Sequence, residues 1–141
     1  MNEETAKQAA ALEKECFSTP WSEKSLLCEL SKPQSRFYVA LSGERVIGYA
    51  GLQFVLDEGY ITNVAVSEKY RKQGVAQLIL NKFDECAAAS GLAFISLEVR
   101  TSNVPAINLY KKCGYETAGL RKGFYREPVE DAYIMTKYYN K

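Results

Sequence analysis

Residues 61–83 read ITNVAVSEKYRKQGVAQLILNKF, and this stretch decides the fold. Ile61, Val64, Ala65 and Val66 are β-branched or small and apolar, which suits a largely buried strand. Val75, Leu78, Ile79 and Phe83 then recur at three- and four-residue spacing, the mark of one apolar helix face. Between strand and helix lies a short polar turn, Ser67 to Gly74, carrying Lys69, Arg71 and Lys72. The first N–H groups of a helix have no acceptor inside the chain, and its dipole favours an anion there. A strand feeding a helix through a basic, glycine-bearing turn is therefore a phosphate-binding arrangement. A βα turn whose residues only cap the helix is the alternative reading.

The turn matches neither a G-x-G-x-x-G fingerprint nor a loop ending in G-K-[ST]. What stands here is Arg71-x-x-Gly74-x-Ala76. It resembles the [QR]-x-x-G-x-[GA] signature of the GNAT superfamily of acyl-CoA-dependent N-acyltransferases, whose turn amides hold the coenzyme A pyrophosphate.

Working outward, the 141 residues suffice for one domain, taken as 1–141, with a real core. A net charge of +1 gives no sign of a bulk nucleic-acid or membrane binder. No apolar run approaches membrane-spanning length and MNEETAKQ is no signal peptide, so a cytoplasmic setting is expected. The four cysteines form no metal or redox spacing, and Cys16, Cys28 and Cys86, in predicted helices, read as small buried thiols. The chain has no histidine, which excludes a Ser-His-Asp triad, a Cys-His dyad and an ordinary His zinc site. Acid–base work falls to Glu, Asp, Tyr, Lys or Cys.

The periodicities predict helices over Thr5–Phe17 and, capped by Ser22, over Glu23–Leu30. Trp21, between them, is either an anchor for the helix pair or a wall of an acceptor groove. Arg36–Leu41 and Arg45–Val55 read as strands joined at Ser42-Gly43-Glu44, with Gly48 and Gly51 marking a bulge or a close approach. Asp57-Glu58-Gly59 is expected to turn the chain into the central strand. The helix after Gly74 should run to Ser90 and end at Gly91. Leu92–Val99 is then a strand parallel to the central one across a right-handed βαβ unit. A helix over Val104–Lys112 and strands over Tyr115–Arg121 and Asp131–Tyr138 follow, with a loop from Gly123 to Glu130. The fold class is α+β, a mixed and mostly antiparallel sheet with a central parallel βαβ unit flanked by helices.

Alternation in LAFISLEVR puts Ile95, Leu97 and Val99 on one face and Phe94, Ser96, Glu98 and Arg100 on the other. Glu98 is thus a carboxylate near the end of a parallel strand, where open α/β sheets place ligands. A salt bridge to Arg100 or another strand-end cation is its structural reading. Tyr110 lies on the short helix, either as an amphipathic tyrosine packed on the sheet or as a proton donor. Asn103, ahead of Val104-Pro105, is a helix N-cap candidate.

LEVRTSNVPAINLYKKCGYE resembles the second half of the same acyltransferase fold, and in detail the RimI-type ribosomal-protein-alanine N-acetyltransferases, with Tyr115 where that family usually has Phe. Pro20-Trp21-Ser22-Glu23, Asn63-Val64-Ala65-Val66, Glu130-Asp131-Ala132 and Ile134-Met135 match in order, so the resemblance spans Phe17 to Met135. It implies acetyl-CoA as co-substrate, no metal, and a ribosomal-protein N-terminus as acceptor. Val64, Ala65 and Val66 are then expected at the acetyl and pantetheine portion. Lys72, Gln73, Gly74, Val75, Ala76 and Gln77 are expected at the pyrophosphate, and Asn103 against the coenzyme. Glu98 would be the general base and Tyr110 the acid for the leaving thiolate. A small-amine acetyltransferase and a non-catalytic acyl-CoA sensor are the competing functions; a Glu and a Tyr beside the binding turn speak against the sensor. The acceptor peptide is expected to lie between Trp21, Tyr38 and Phe124-Tyr125.

Overall fold

A computed structural model describes residues 2–17, 20–126 and 128–139. Helices α1 (Glu3–Cys16) and α2 (Glu23–Leu30) come first. Strands β1 (Ser35–Ser42), β2 (Arg45–Val55) and β3 (Glu58–Val66) then form an antiparallel meander. A single 3-10 turn, Glu68–Tyr70, leads to α3 (Val75–Ser90), and β4 (Phe94–Arg100) returns parallel to β3. Helix α4 (Val104–Lys112) and the hairpin β5 (Glu116–Arg126) and β6 (Val129–Tyr138) complete the chain. The strand order is β1-β2-β3-β4-β6-β5, with one parallel pair at the centre, as the sequence predicts.

Helices cover the two faces differently. Ala9, Ala10 and Leu12 of α1 and Leu26 of α2 bury Phe37, Val46, Tyr49 and Ala65 on one face. Ile79, Leu80 and Phe83 of α3 and Ile107 and Tyr110 of α4 pack on Ile47, Ile61, Ile95 and Leu97 on the other. Each wholly buried Leu or Phe in that layer stabilises by roughly 1.5–3 kcal/mol against an exposed one. Local signals agree with the sequence at both caps it names: the Ser22 hydroxyl accepts from Ser25 N–H at 3.1 Å, and Asn103 Oδ1 from Ala106 N–H at 3.3 Å.

Several expectations need correction. Helix α1 starts at Glu3, because Asn2 and Thr5 form a reciprocal capping box ahead of it. Glu58 and Gly59 belong to β3, and the chain turns at Leu56 and Asp57, with Leu56 at φ 58°. Gly59 is needed for packing, since a Cβ there would stand 3.0 Å from Ile95 and 3.1 Å from Leu92. The expected loop from 123 to 130 is strand at 123–126 and 129–130, and Glu127 lies outside the described residues. Among the cysteines Cys86 is buried, Cys16 half-buried and Cys28 exposed. Two-turn α2 offers Leu26 and Glu29 to the sheet, and Cys28 falls off that stripe. Both readings of the β2 glycines hold: β3 bulges opposite Gly51–Leu52, and a Cβ on Gly48 would meet Val75 at 2.9 Å.

Candidate active site

The centre of the sheet is a wedge. Strands β3 and β4 pair only at Glu58↔Phe94, Gly59↔Ile95 and Tyr60↔Ser96. Past that point β3 stays bonded to β2 as far as Val66, and β4 to β6 as far as Arg100. The edges of Ile61–Val66 and Leu97–Val99 that face each other therefore part, so their backbone groups there form no ladder with one another. Such groups bind an extended ligand readily. Val64, Ala65 and Val66, expected at the acetyl and pantetheine portion, form the far end of this open edge.

At the mouth of the wedge, two left-handed residues, Lys72 at φ 64° and Gly74 at φ 82°, wind the turn into α3. Gly74 is the N-cap and has no side chain to bond the helix, and the first turn carries no carboxylate. Leu78 N–H, bonding Gly74 carbonyl at 3.0 Å, is the first donor used inside the helix, so those of Val75, Ala76 and Gln77 precede the ladder. Lys69 and Lys72 are exposed beside them. This fits an anionic diphosphate. Arg71 is used differently: its Nε donates to Val66 carbonyl at 3.0 Å and its Nη2 lies 3.4 Å from Cys16 Sγ, lashing the turn to the end of β3. Gln73 folds back to bond Lys69 carbonyl at 3.0 Å.

Glu98 and Tyr110 flank β4. Alternation sets Glu98 on the α1/α2 face, in the part that those helices leave uncovered, yet its side chain is only 6% exposed. Arg121 Nε lies 3.2 Å from Glu98 Oε2, the Tyr60 hydroxyl donates to Oε1, and the Tyr125 hydroxyl donates to the Glu98 carbonyl at 3.3 Å. The strand-end cation is therefore Arg121 and not Arg100. Arg100 instead bonds Glu130 at 3.2 Å and Pro128 carbonyl at 2.9 Å, and lies 4.2 Å over the Tyr125 ring. Tyr110 is buried on the other face, in the layer of Leu97 and Val99 and edge-on to Tyr115 at 6.0 Å. Burial raises both phenols above the ordinary tyrosine range, helped at Tyr60 by Glu98 and at Tyr110 by Tyr125. Both keep their protons at neutral pH, and the Tyr60 hydroxyl donates its own to Glu98.

The turn before α4 is pinned from β6. Glu130 accepts from Ser102 N–H at 2.7 Å and Thr101 Oγ1 at 3.2 Å and pairs with Arg100, which sets where Asn103 and α4 begin. The bonds from Ser102 lead in holding the Glu130 carboxyl down at about 2. Asn103 is occupied at Oδ1 by its capping bond. Tyr38 packs on Phe83 at 5.6 Å, on the α3 side, so it cannot share an acceptor groove with Trp21. Trp21 stands in the wall of a groove of about 490 Å³ that also runs past Ser25, Cys28 and Glu29. Sequence reasoning missed Tyr60 and Arg121. Tyr60 was reachable, since it precedes buried Ile61 by one residue on the strand parallel to Glu98.

The model of the acetyltransferase (GNAT) family matches residues 6–115. The chain belongs to that family. It is 34% identical over 126 residues to the [ribosomal protein bS18]-alanine N-acetyltransferase of Escherichia coli strain K12, covering 88% of this chain and 84% of that one. The crystal structure of the ribosomal-protein-S18-alanine N-acetyltransferase from Escherichia coli superposes with a TM-score of 0.90 at 29% identity, over 100% of this chain and 92% of that one. A GNAT acetyltransferase from Elizabethkingia anophelis with acetyl-CoA bound shares the fold at a TM-score of 0.76 and 20% identity, covering 92% and 89%. No helix among the described residues of this GNAT enzyme is long and apolar enough to cross a membrane.

Proposed function

We propose that this N-acetyltransferase moves the acetyl group of acetyl-CoA to the N-terminal α-amine of a small-subunit ribosomal protein in the cytoplasm, with alanine as the accepting residue. The placing of Glu98 and Tyr110 on the two sides of the β3–β4 wedge carries the reading. It is joined by the likeness to the bS18-alanine enzyme, whose named acceptor residue has no side-chain amine. Residues 1–141 form the transferase domain, since β5 and β6 complete the sheet beyond the family match at 115.

In this reading the open edge at Val64, Ala65 and Val66 bonds the acetyl and pantetheine portion. The free donors of Lys72 to Gln77 take the pyrophosphate, and the start of α4 at Asn103 lies against the coenzyme. The amine attacks the thioester carbon from the Glu98 side. An N–H near Val66 meets the tetrahedral oxyanion, and Glu98 accepts the amine proton directly or through water. As the C–S bond breaks, the Tyr110 hydroxyl donates to the departing sulfur. A free thiol has a pKa of about 8.5, well below a buried phenol, so Tyr110 works by hydrogen bonding to the developing thiolate and keeps its proton afterwards. No enzyme-bound acyl intermediate is formed.

Proton energetics favour the α-amine over lysine. At pH 7.5 roughly a third of an α-amine is free base, against about 0.1% of a lysine, a difference of about 3 kcal/mol. The test is a peptide with a free N-terminal alanine and one internal lysine, set against its N-terminally blocked twin. Acetylation confined to the free terminus is expected. Equal acetylation of the lysine in the blocked peptide would remove the α-amine reading.

A further inference from the structure

The transfer chemistry leaves the buried carboxylate of Glu13 without a task. Glu13 lies in phase with the apolar stripe of α1 and is 1% exposed. Three donors from three separate segments converge on it. Trp21 N–H lies 2.8 Å from Oε1, Asn63 Nδ2 lies 2.8 Å from Oε2, and the Tyr49 hydroxyl also donates to Oε2. An apolar residue at this position would join helix to sheet without the cost of burying an ion. What the carboxylate adds is a fixed backbone: it ties the segment that carries Trp21 to Asn63, a residue within the open edge of β3. Trp21 lines the groove beside α2, and the wedge opens after Tyr60.

We infer that Glu13 is a positioning residue for acceptor binding, holding the Trp21 wall at a set distance from the open edge of β3. This rests on the function proposed above. Only a carboxylate presents acceptors at both ends. A glutamine here keeps the volume but turns an NH2 group toward Tyr49 and Asn63 or toward Trp21 N–H. Asn63 cannot invert at no cost, because its Oδ1 is already bonded by the Thr62 hydroxyl at 2.8 Å.

Trp21 is the chain's one tryptophan, so intrinsic fluorescence reports on this segment alone. The experiment compares the full chain with Glu13→Gln and Tyr49→Phe, the second removing one hydroxyl and keeping the ring. Acrylamide quenching of Trp21, acetyl-CoA affinity by calorimetry, and kcat and KM for an N-terminal-alanine peptide are measured on each. In Glu13→Gln, quenching should rise about twofold and peptide KM about tenfold, with acetyl-CoA affinity and kcat within about threefold. Tyr49→Phe should move the same two readouts by less, and it carries the test if the first variant does not fold. Unchanged quenching, an unchanged peptide KM, or equal losses for acetyl-CoA and peptide would each overturn the inference. A wild-type chain that binds acetyl-CoA and acetylates no peptide would instead count against the proposed function. The quenching comparison would still decide whether Glu13 holds Trp21.

Discussion

Glu98 and Tyr110 lie on opposite faces of the sheet: one projects from β4 on the α1/α2 side, the other sits on α4 in the layer of Leu97 and Val99. The gap between them is the wedge that opens after Tyr60↔Ser96. A planar thioester carbonyl placed there can be approached by an amine from one face while its sulfur meets a donor on the other. The arrangement also keeps the two groups from bonding to each other; Glu98 is held instead by Tyr60 and Arg121.

Glu98→Gln should therefore lower kcat by about 10² or more while acetyl-CoA affinity stays within a few-fold. Gln retains an acceptor for the Tyr60 hydroxyl, so the local structure survives and the loss falls on chemistry. Steady-state kinetics with calorimetric coenzyme binding decide it. Near-normal turnover would return Glu98 to a purely structural ion pair with Arg121.

Tyr110→Phe removes one hydroxyl from a packed ring. It too should cost about 10² in kcat with coenzyme affinity nearly unchanged. A sharper check uses acyl donors with different leaving groups. The mutant's deficit should shrink as the leaving group becomes more acidic, because a better leaving group needs less help. A deficit of constant size would show that Tyr110 acts on packing alone.

Strand, turn and helix over 61–83 were legible because their periodicities differ and the turn residues mark the switch. The face that Glu98 takes was legible from alternation, whereas its role as base came only from the family resemblance. Its partners were not: Tyr60 depends on the register of a parallel pair made through α3, and Arg121 on a hairpin longer than the sequence suggests. Strand β5 is largely exposed and twice bulged, so it shows no alternation that would reveal its length. Glu13 was visible as a carboxylate three, four and seven residues from Ala10, Ala9 and Ala6. It passed as one of the charges scattered along α1.

Gly74 separates backbone strain from crowding. A Cβ there meets nothing within 4 Å, yet the residue sits at φ 82°. Gly74→Ala should cost about 1–2 kcal/mol of stability through the left-handed backbone, read from urea unfolding. Gly74→Val should also weaken acetyl-CoA by at least about tenfold, roughly 1.4 kcal/mol. Undiminished affinity in the valine variant would mean that the turn is only a cap.

Glu130 gives an acid-side prediction. Its carboxyl is held at about 2 by Ser102, with Arg100 and Thr101 adding to it, below the ordinary value of 4.5. A depressed carboxylate contributes stability that is present above the unfolded value and lost as pH falls through the folded one. Glu130→Gln should narrow its gap to wild type as pH falls from 4.5 toward 2. A gap that stays constant over that window would deny the linkage.

Glu13 should behave with the opposite sign. Desolvation outweighs the bonds from Tyr49, Trp21 and Asn63 and raises its carboxyl above 4.5. Between the unfolded value and the raised one, the folded chain holds more protons than the unfolded chain. Its stabilising contribution is thus complete below 4.5 and declines as pH rises through the folded value. Glu13→Gln has no proton to lose. Its unfolding free energy should rise more steeply, or fall less steeply, than that of wild type as pH is raised from 4.5 toward neutrality. Urea titrations of both proteins at matched ionic strength give the two slopes. Parallel slopes would place the Glu13 value at that of the unfolded chain. A wild-type slope above that of the variant would mean that the three donors outweigh burial.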